Sequence, residues 1–586
     1  MRSTLSPWVR RLIAAAFLMV PAAAQAVPPT VASIYPLSQR VDVPVGTSIT
    51  VTFDQPINPA TVNDISFRVY GRWSGPASGT LSVAGGAVTF TPDTAFFAGE
   101  WITVNVSKAV QNLAAEGLAK GYAWNFWTAT SAGTINLTYL GRVTCRKAGE
   151  TWVQVYGAYG GDLNNDGFTD LSAPCEQTRD LRTFLNGGGT YTTFAKRPLA
   201  GSAPSPNEGA DFNNDGEIDL VVTSTGSDSL TVLYGNGAGA FPTRLLLTAA
   251  SSVRGVGVLD LNGDGWDDIV TANRFGDNVA ILLNNGDGTF AAPVFREAGG
   301  TGEYAIGVAD ANNDGQLDVF VGCFGTPYPV IPMLSDGNGD LVAQPAVGGG
   351  GQPWQLVVGD FNGDHNVDVT LCNTNQTRLA IMYGNGLGGL AAPVYKATGS
   401  FPLAIDTGDM DGDGDLEIVT SNYSSGTWTI WQNAGGGNFN TSKTLVASSA
   451  GSCAVLHDRD NDGDLDLSGL DEVDDWLYIY DNQLPPTGVR TAPLRVVQRL
   501  ENSPNPFNPS TVVRFDLTRP ASVVLSIFDA SGAFVATLAA GNFPAGANDV
   551  RWDGMDDHGN RVGSGVYFCR LSAGGENLTR KLVLLK

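Results

Sequence analysis

The sequence predicts an all-β protein, a seven-bladed β-propeller flanked by two β-sandwiches. Three observations lead there. An acidic nine-residue segment recurs seven times at intervals of 49 or 50 residues. Each interval holds four short apolar runs separated by Gly, Asn and Asp, the length and punctuation of strands and turns. On either side of the repeats, apolar and polar residues alternate between turn signals, the pattern of a half-buried sheet.

The first 26 residues read as a secretory signal: Arg2, Arg10 and Arg11, then "LIAAAFLMV", then "AAAQA" with a small-x-small cleavage site at Ala26. The mature chain is expected to begin near Val27, outside the cytoplasm. No later apolar run approaches the roughly 20 residues that span a bilayer, so no transmembrane span is expected in it. The net charge of the 586-residue chain is −24, and losing the three signal arginines takes it to about −27. Such a charge argues against nucleic acid or an anionic membrane surface as partner. The six cysteines contain no C-x-x-C pair, which argues against a zinc ribbon or a thioredoxin-like site. Cys323 and Cys372 fall on equivalent strands of adjacent repeats, where a bridge and two buried thiols are both open readings.

Residues 28–130 form the first sandwich, with Ile49, Val51 and Phe53 alternating in "TSITVTFDQPI". Trp124 and Trp127 are expected in core or interdomain packing, with carbohydrate stacking as the alternative. The "VPVGTSITVTFDQPI" opening resembles the bacterial Ig-like domains of surface-layer and adhesive proteins.

Residues 134–484 carry the repeats. Counted from its first aspartate, each segment can offer side-chain oxygens at positions 1, 3, 5 and 9 and a main-chain carbonyl at position 7. The seven sets are Asp162, Asn164, Asp166, Phe168 and Asp170; Asp211, Asn213, Asp215, Glu217 and Asp219; Asp260, Asn262, Asp264, Trp266 and Asp268; Asp310, Asn312, Asp314, Gln316 and Asp318; Asp360, Asn362, Asp364, Asn366 and Asp368; Asp409, Asp411, Asp413, Asp415 and Glu417; and Asp458, Asp460, Asp462, Asp464 and Asp466. Calcium is a hard cation that takes six to eight oxygen ligands, so this pattern predicts up to seven Ca²⁺ sites. The 23 carboxylates at positions 1, 3, 5 and 9 nearly equal the net charge, which makes the excess acid ligand rather than surface. An EF-hand needs an acid at position 12, where these loops carry Ala173, Val222, Thr271, Val321, Leu371, Thr420 and Gly469.

Position 6 is glycine except at His365, and position 9 is aspartate except at Glu417. A glycine there supplies positive φ, which histidine reaches at a cost of about 1 kcal/mol. The His365 loop is therefore expected to keep its site, more weakly, with Asn366 giving the carbonyl and the imidazole pointing away from the ion. The last repeat lacks one strand and Thr134–Val143 is unclaimed, so that early strand is expected to complete the seventh blade.

These units resemble the FG-GAP/VCBS repeats of bacterial extracellular proteins and are similar to the blades of integrin α-subunit propellers. The resemblance implies a calcium-binding propeller that serves adhesion or binds an extracellular protein or glycan. The alternative is a secreted polysaccharide- or protein-degrading enzyme, or its non-catalytic binding subunit. The three histidines lie far apart and neither H-E-x-x-H nor G-x-S-x-G occurs, so no catalytic residue is assigned and a non-enzyme is expected. His457 is expected to end a strand.

"LPPTGVRTAPLR" gives a linker over residues 485–497, and residues 498–586 form a second sandwich. The pattern "PNPFNPST" followed by "VRWDGMDDHGNRVGSGVY" resembles the C-terminal Ig-like sorting domains of the type IX secretion system, related to the Ig-like domain of the flagellar hook-capping protein. It implies export across an outer membrane with the secretion machinery as partner, and Lys581 to Lys586 as part of the signal. The alternative is a sandwich that caps the molecule.

Overall fold

The computed structural model describes residues 27–482 and 497–585, except 504, 518–520, 530–532, 545 and 574–575. The expected signal at 1–26 and the linker up to residue 496 lie outside the described residues. Those residues fold almost wholly into antiparallel strands, with two single-turn 3₁₀ segments and no α-helix. Among the described residues no helix is long and apolar enough to cross a membrane.

Seven antiparallel sheets follow one another from Thr138 to Asp481, six of four strands and the fourth of five, where Val347–Gly348 adds to Pro329–Ser335. The fifth shows their common plan. Its innermost strand, Pro353–Gly359, runs into the acidic loop and returns as Asp368–Asn373, with Gly359 opposite Asp368. Arg378–Met382 and Val394–Ala397 complete the sheet. Burial is radial: Asp368–Asn373 is buried along its whole length, and Val394–Ala397 is mostly exposed. A strand covered on both faces by neighbouring sheets has to be apolar throughout, which is why "DVTLCN" does not alternate. The innermost strands touch in order around a ring, and Tyr159–Gly161 of the first sheet meets Gly451–His457 of the last.

The ring closes where the unclaimed strand predicted. Thr138–Thr144 pairs with Trp476–Asp481, matching Val143 with Leu477 and Thr144 with Trp476. Pairing across more than 300 residues removes two open edges at once.

The N-terminal sandwich packs two four-stranded sheets around Ile49, Phe67, Ile102, Trp124 and Phe126. One of them, containing Phe67–Gly71, Trp101–Val106 and Tyr122–Trp127, faces the propeller on its acidic-loop side. Main-chain contacts join it to several loops: Asp162 N–H donates to the Trp73 carbonyl at 2.7 Å, Lys108 N–H to Gly263 at 2.8 Å, Ala123 N–H to Gly315 at 2.7 Å and Ser131 N–H to Gly463 at 2.6 Å. Arg68, 7% exposed, donates to Asp267 at 3.0 Å and to the carbonyls of Asp211 and Gly265. Trp127 packs against Phe361, Leu379 and Ile418 of the propeller. Both tryptophans are thus packing residues, Trp124 within the sandwich and Trp127 between modules.

The C-terminal sandwich has a three-stranded and a four-stranded sheet around Val513, Phe515, Ile527, Trp552 and Leu571. All six cysteines are buried free thiols, so Cys323 and Cys372 are not bridged.

Arg68 is the buried cation of the interface, and removing it leaves Asp267 desolvated without its partner. Arg68→Ala is expected to lower stability by about 3 kcal/mol in denaturant melts, with Arg68→Lys recovering part of the loss. An unchanged midpoint would show that the interface carries no stability.

Candidate metal centre

The seven loops share one backbone. In six of them position 1 accepts from the main-chain N–H groups of positions 5 and 6: in the first loop, Asp166 N–H reaches Asp162 Oδ1 at 3.0 Å and Gly167 N–H reaches Oδ2 at 2.8 Å; in the sixth, Asp409 accepts from Gly412 and Gly414 N–H at positions 4 and 6. Two residues in each loop take positive φ. At position 6, the glycines lie between +78° and +97°, and His365 adopts +65°. Its N–H reaches Asp360 Oδ2 at 2.7 Å, as a glycine's would. The half-exposed imidazole places Nδ1 3.7 Å from the same oxygen. Position 4 is the second such residue: Asn165, Asn214, Gly263, Asn313, Gly363, Gly412 and Asn461 take +53° to +76°. The signal was present, since only asparagine and glycine occupy that position.

The acid at position 9 is the strut of six of the blades. Asp170, buried at the loop end, accepts from Leu163 N–H at 3.1 Å and from Asn186 N–H at 2.6 Å. One oxygen fixes the start of the loop and the other fixes the end of the third strand. The same pair recurs for Asp219, Asp268, Asp318 and Asp368, and Glu417 reproduces it with Met410 N–H at 2.7 Å and Asn433 N–H at 3.2 Å. In four blades the residue that ends the third strand is an asparagine whose amide crosses to the preceding blade: Asn186 reaches the Arg459 carbonyl at 2.7 Å, Asn284 that of Phe212, Asn433 that of Phe361 and Asn482 that of Met410. These asparagines were not singled out from the sequence, although each lies 24 residues after its loop's first aspartate.

In the first five loops the position 3 asparagine accepts from position 5 N–H or donates to its carboxylate, as Asn164 does to Asp166 at 3.0 Å. Loops six and seven have aspartate there, and three carboxylates gather with oxygens within 4.8 Å of one another: Asp409, Asp411 and Asp413, then Asp458, Asp460 and Asp462. Gln432 donates to Asp411 Oδ2 at 2.6 Å, while Asp411 Oδ1 and Asp460 Oδ1 are buried with no hydrogen-bond partner among the described residues. A third cluster, Asp460, Asp466 and Asp481, is bridged by the Arg459 guanidinium at 2.5 to 3.4 Å. Asp481 lies outside the repeated segment and was not expected. The Asp464 side chain is buried near Asp458, Asp462 and Asp466, and desolvation with that repulsion pushes it up to about 9.

Desolvation dominates the other acids as well. It pushes Asp219, Asp318 and Asp368 up to about 8 and Glu417 to about 10, against their main-chain donors, and Asp260, Asp409 and Asp458 to about 7. His457 ends its strand as expected; buried against Ser468 Oγ at 2.9 Å, it is pushed down to about 3 by desolvation and by Arg459.

Family models match three parts of the chain: a bacterial Ig-like domain over residues 25–128, FG-GAP-like repeats over 211–271, 260–321, 360–420 and 409–468, and a FlgD Ig-like domain over 505–576. The chain carries FG-GAP-like repeats between two Ig-like domains. The matched repeats include six of the seven acidic loops and leave out the one at Asp162. No curated protein sequence matches the chain. Similar solved structures include BBS1N in complex with ARL6DN, at 15% identity over 61% of this chain and 99% of that one, TM-score 0.43. An Agrocybe aegerita lectin described as recognising non-reducing terminal N-acetylglucosamine matches at 20% identity over 65% and 90%, TM-score 0.36. Both are distant likenesses and say nothing about what this chain binds.

The raised acids fix the sign of a pH effect. A carboxyl whose folded value exceeds its unfolded value near 4 adds stability below about pH 4, and that stability is lost as pH rises toward 8. In chelator the melting temperature is expected to fall across roughly pH 5 to 8, and calcium, which favours the ionised form, is expected to flatten that fall. Parallel profiles with and without calcium would contradict the metal assignment.

Proposed function

We propose that the chain is an exported, non-catalytic scaffold that calcium stabilises and that binds an extracellular protein or glycan, in the manner of an adhesion protein. FG-GAP-like repeats with Ig-like domains support a binding scaffold outside the cell. The observation that carries the calcium reading is the concentration of oxygen donors in seven like-built loops on one face, with no cation beside most of them. The donors fit the ion: carboxylates and amide oxygens at alternate positions, a main-chain carbonyl between them, and buried unpartnered oxygens on Asp411 and Asp460. Positions 1, 3 and 5, the position 7 carbonyl and position 9 would hold it. Bound calcium would supply the positive charge that lets these acids stay ionised together.

Differences among the loops suggest an order of affinity. The sixth has four acids and no arginine inserted, so it should bind most tightly. In the seventh, Arg459 already neutralises Asp460 and Asp466. The fifth has three acids and the strained His365.

Because the N-terminal Ig-like module rests on the loop carbonyls, calcium would stiffen that junction as well as the blades. The C-terminal module would engage the secretion machinery that carries the chain across an outer membrane.

Elemental analysis and thermal melting test the calcium reading. Calcium at tenfold above Kd stabilises by about 1.4 kcal/mol per site, so several sites should raise the melting temperature by several degrees relative to EGTA. No bound metal and no shift would remove it. Protein and glycan arrays run beside glycosidase and peptidase assays test the scaffold reading, which turnover without retention would overturn.

A further inference from the structure

The channel of the propeller has two ends, and only the loop end is covered by the Ig-like module. At the other end, where the innermost strands begin, lies a cavity of about 350 Å³. That is within the range of small-molecule sites. Its walls come from three positions of the repeat: eight and six residues before the first loop aspartate, and fourteen after it. These positions recur in place but not in residue type. The fourteenth is Glu176, Thr225, Arg274, Phe324, Thr374, Tyr423 and Glu472 in successive blades. Residues that hold the blades together repeat, as the position 9 acids do, whereas these vary among acid, base, hydroxyl and aromatic ring.

The differences are segregated. Blades four to six supply a continuous arc of rings: Phe324 stacked on Tyr304 with centroids 3.9 Å apart, Tyr304 5.0 Å from Trp354, Trp354 5.6 Å from Phe401, and Phe401 5.9 Å from Tyr423. Trp354 Nε1–H donates across the channel to Tyr156 Oη at 2.5 Å, giving the cavity a floor. Blades one and seven supply Glu176 and Glu472, the latter held by Gln154 at 2.8 Å. Blade three supplies Arg254, over the rings of Tyr304 and Trp354 at 5.2 and 5.9 Å. Among the described residues Arg254 Nε and the buried Tyr304 Oη have no hydrogen-bond partner. Gln154 and Phe401 line the cavity with φ of +57° and +56°, a conformation unusual for a bulky side chain.

This distribution selects a ligand. A lone cation would meet Arg254, and a lone anion would meet two glutamates. A neutral hydroxyl both donates and accepts, so it can use both. The aromatic arc calls for a flat apolar face. We propose that this mouth is a saccharide site that takes a neutral pyranose end, its C–H face stacked on Trp354 and Phe401 and its hydroxyls shared among Arg254, Gln154 and the glutamates. It rests on the reading of the chain as a binding scaffold, but not on the calcium sites.

The test is binding of the full chain, in calcium, to immobilised neutral, acidic and amino-sugar oligosaccharides and to a peptide library. Wild type is compared with Phe401→Ala and Glu176→Gln, two changes at the rim, with melting temperature measured for each. Neutral saccharides should bind, and each variant should weaken them by roughly tenfold or more without a shift in melting temperature. Preference for charged sugars or for peptides, lost in Phe401→Ala, would overturn the ligand class and leave the scaffold reading intact. Saccharide binding that both variants retain would overturn the site. Hydrolysis without retention would overturn the scaffold reading itself.

Discussion

Six of the seven blades depend on one buried carboxylate that accepts two main-chain N–H groups. Asp368 is representative: Phe361 N–H at 3.0 Å begins the loop, and Gly384 N–H at 2.8 Å ends the third strand. A carboxylate can do this because its two oxygens accept in different directions, and a neutral amide would turn a donor toward one of them. Ionised, it is also desolvated, which is costly without a cation nearby. The strut that defines the blade thus creates the electrostatic demand that a metal would meet. Blade seven shows a partial substitute: Asp466 keeps Asn482 N–H at 2.7 Å and faces the Arg459 guanidinium at 3.4 Å.

From that strut follows the division of the molecule into two faces. The loops stand at one level because the same acid sets each of them, and their outward carbonyls form a surface of main-chain acceptors. The N-terminal module uses that surface through Lys108, Ala123 and Ser131 N–H and through Arg68. The opposite face carries residues that vary from blade to blade, and there the rings of Trp354, Phe401 and Tyr423 line a cavity with Arg254 and two glutamates.

Much of this was legible in the sequence because it is local or periodic. Spacing gave the loops, the strands between them and the missing strand that Thr138–Thr144 supplies. The left-handed turn at His365 followed from its six sister glycines. What was not legible is what depends on long-range proximity. The docking of Arg68 against Asp267 joins positions 199 residues apart, and no local pattern marks either of them. Asp481 belongs to the seventh loop's acidic cluster only through the fold of the third strand. For Trp124 and Trp127 packing was expected, but not which of them packs within the sandwich and which between modules.

The central claim is that the seven loops are calcium sites built around these struts. Anomalous scattering from a crystal grown in calcium tests it most directly. The account predicts peaks beside the carboxylates at positions 1, 3 and 5, strongest at Asp409, Asp411 and Asp413 and weakest at Asp360, Asn362 and Asp364. A map with no peak at any loop, or with peaks only elsewhere on the surface, would contradict it.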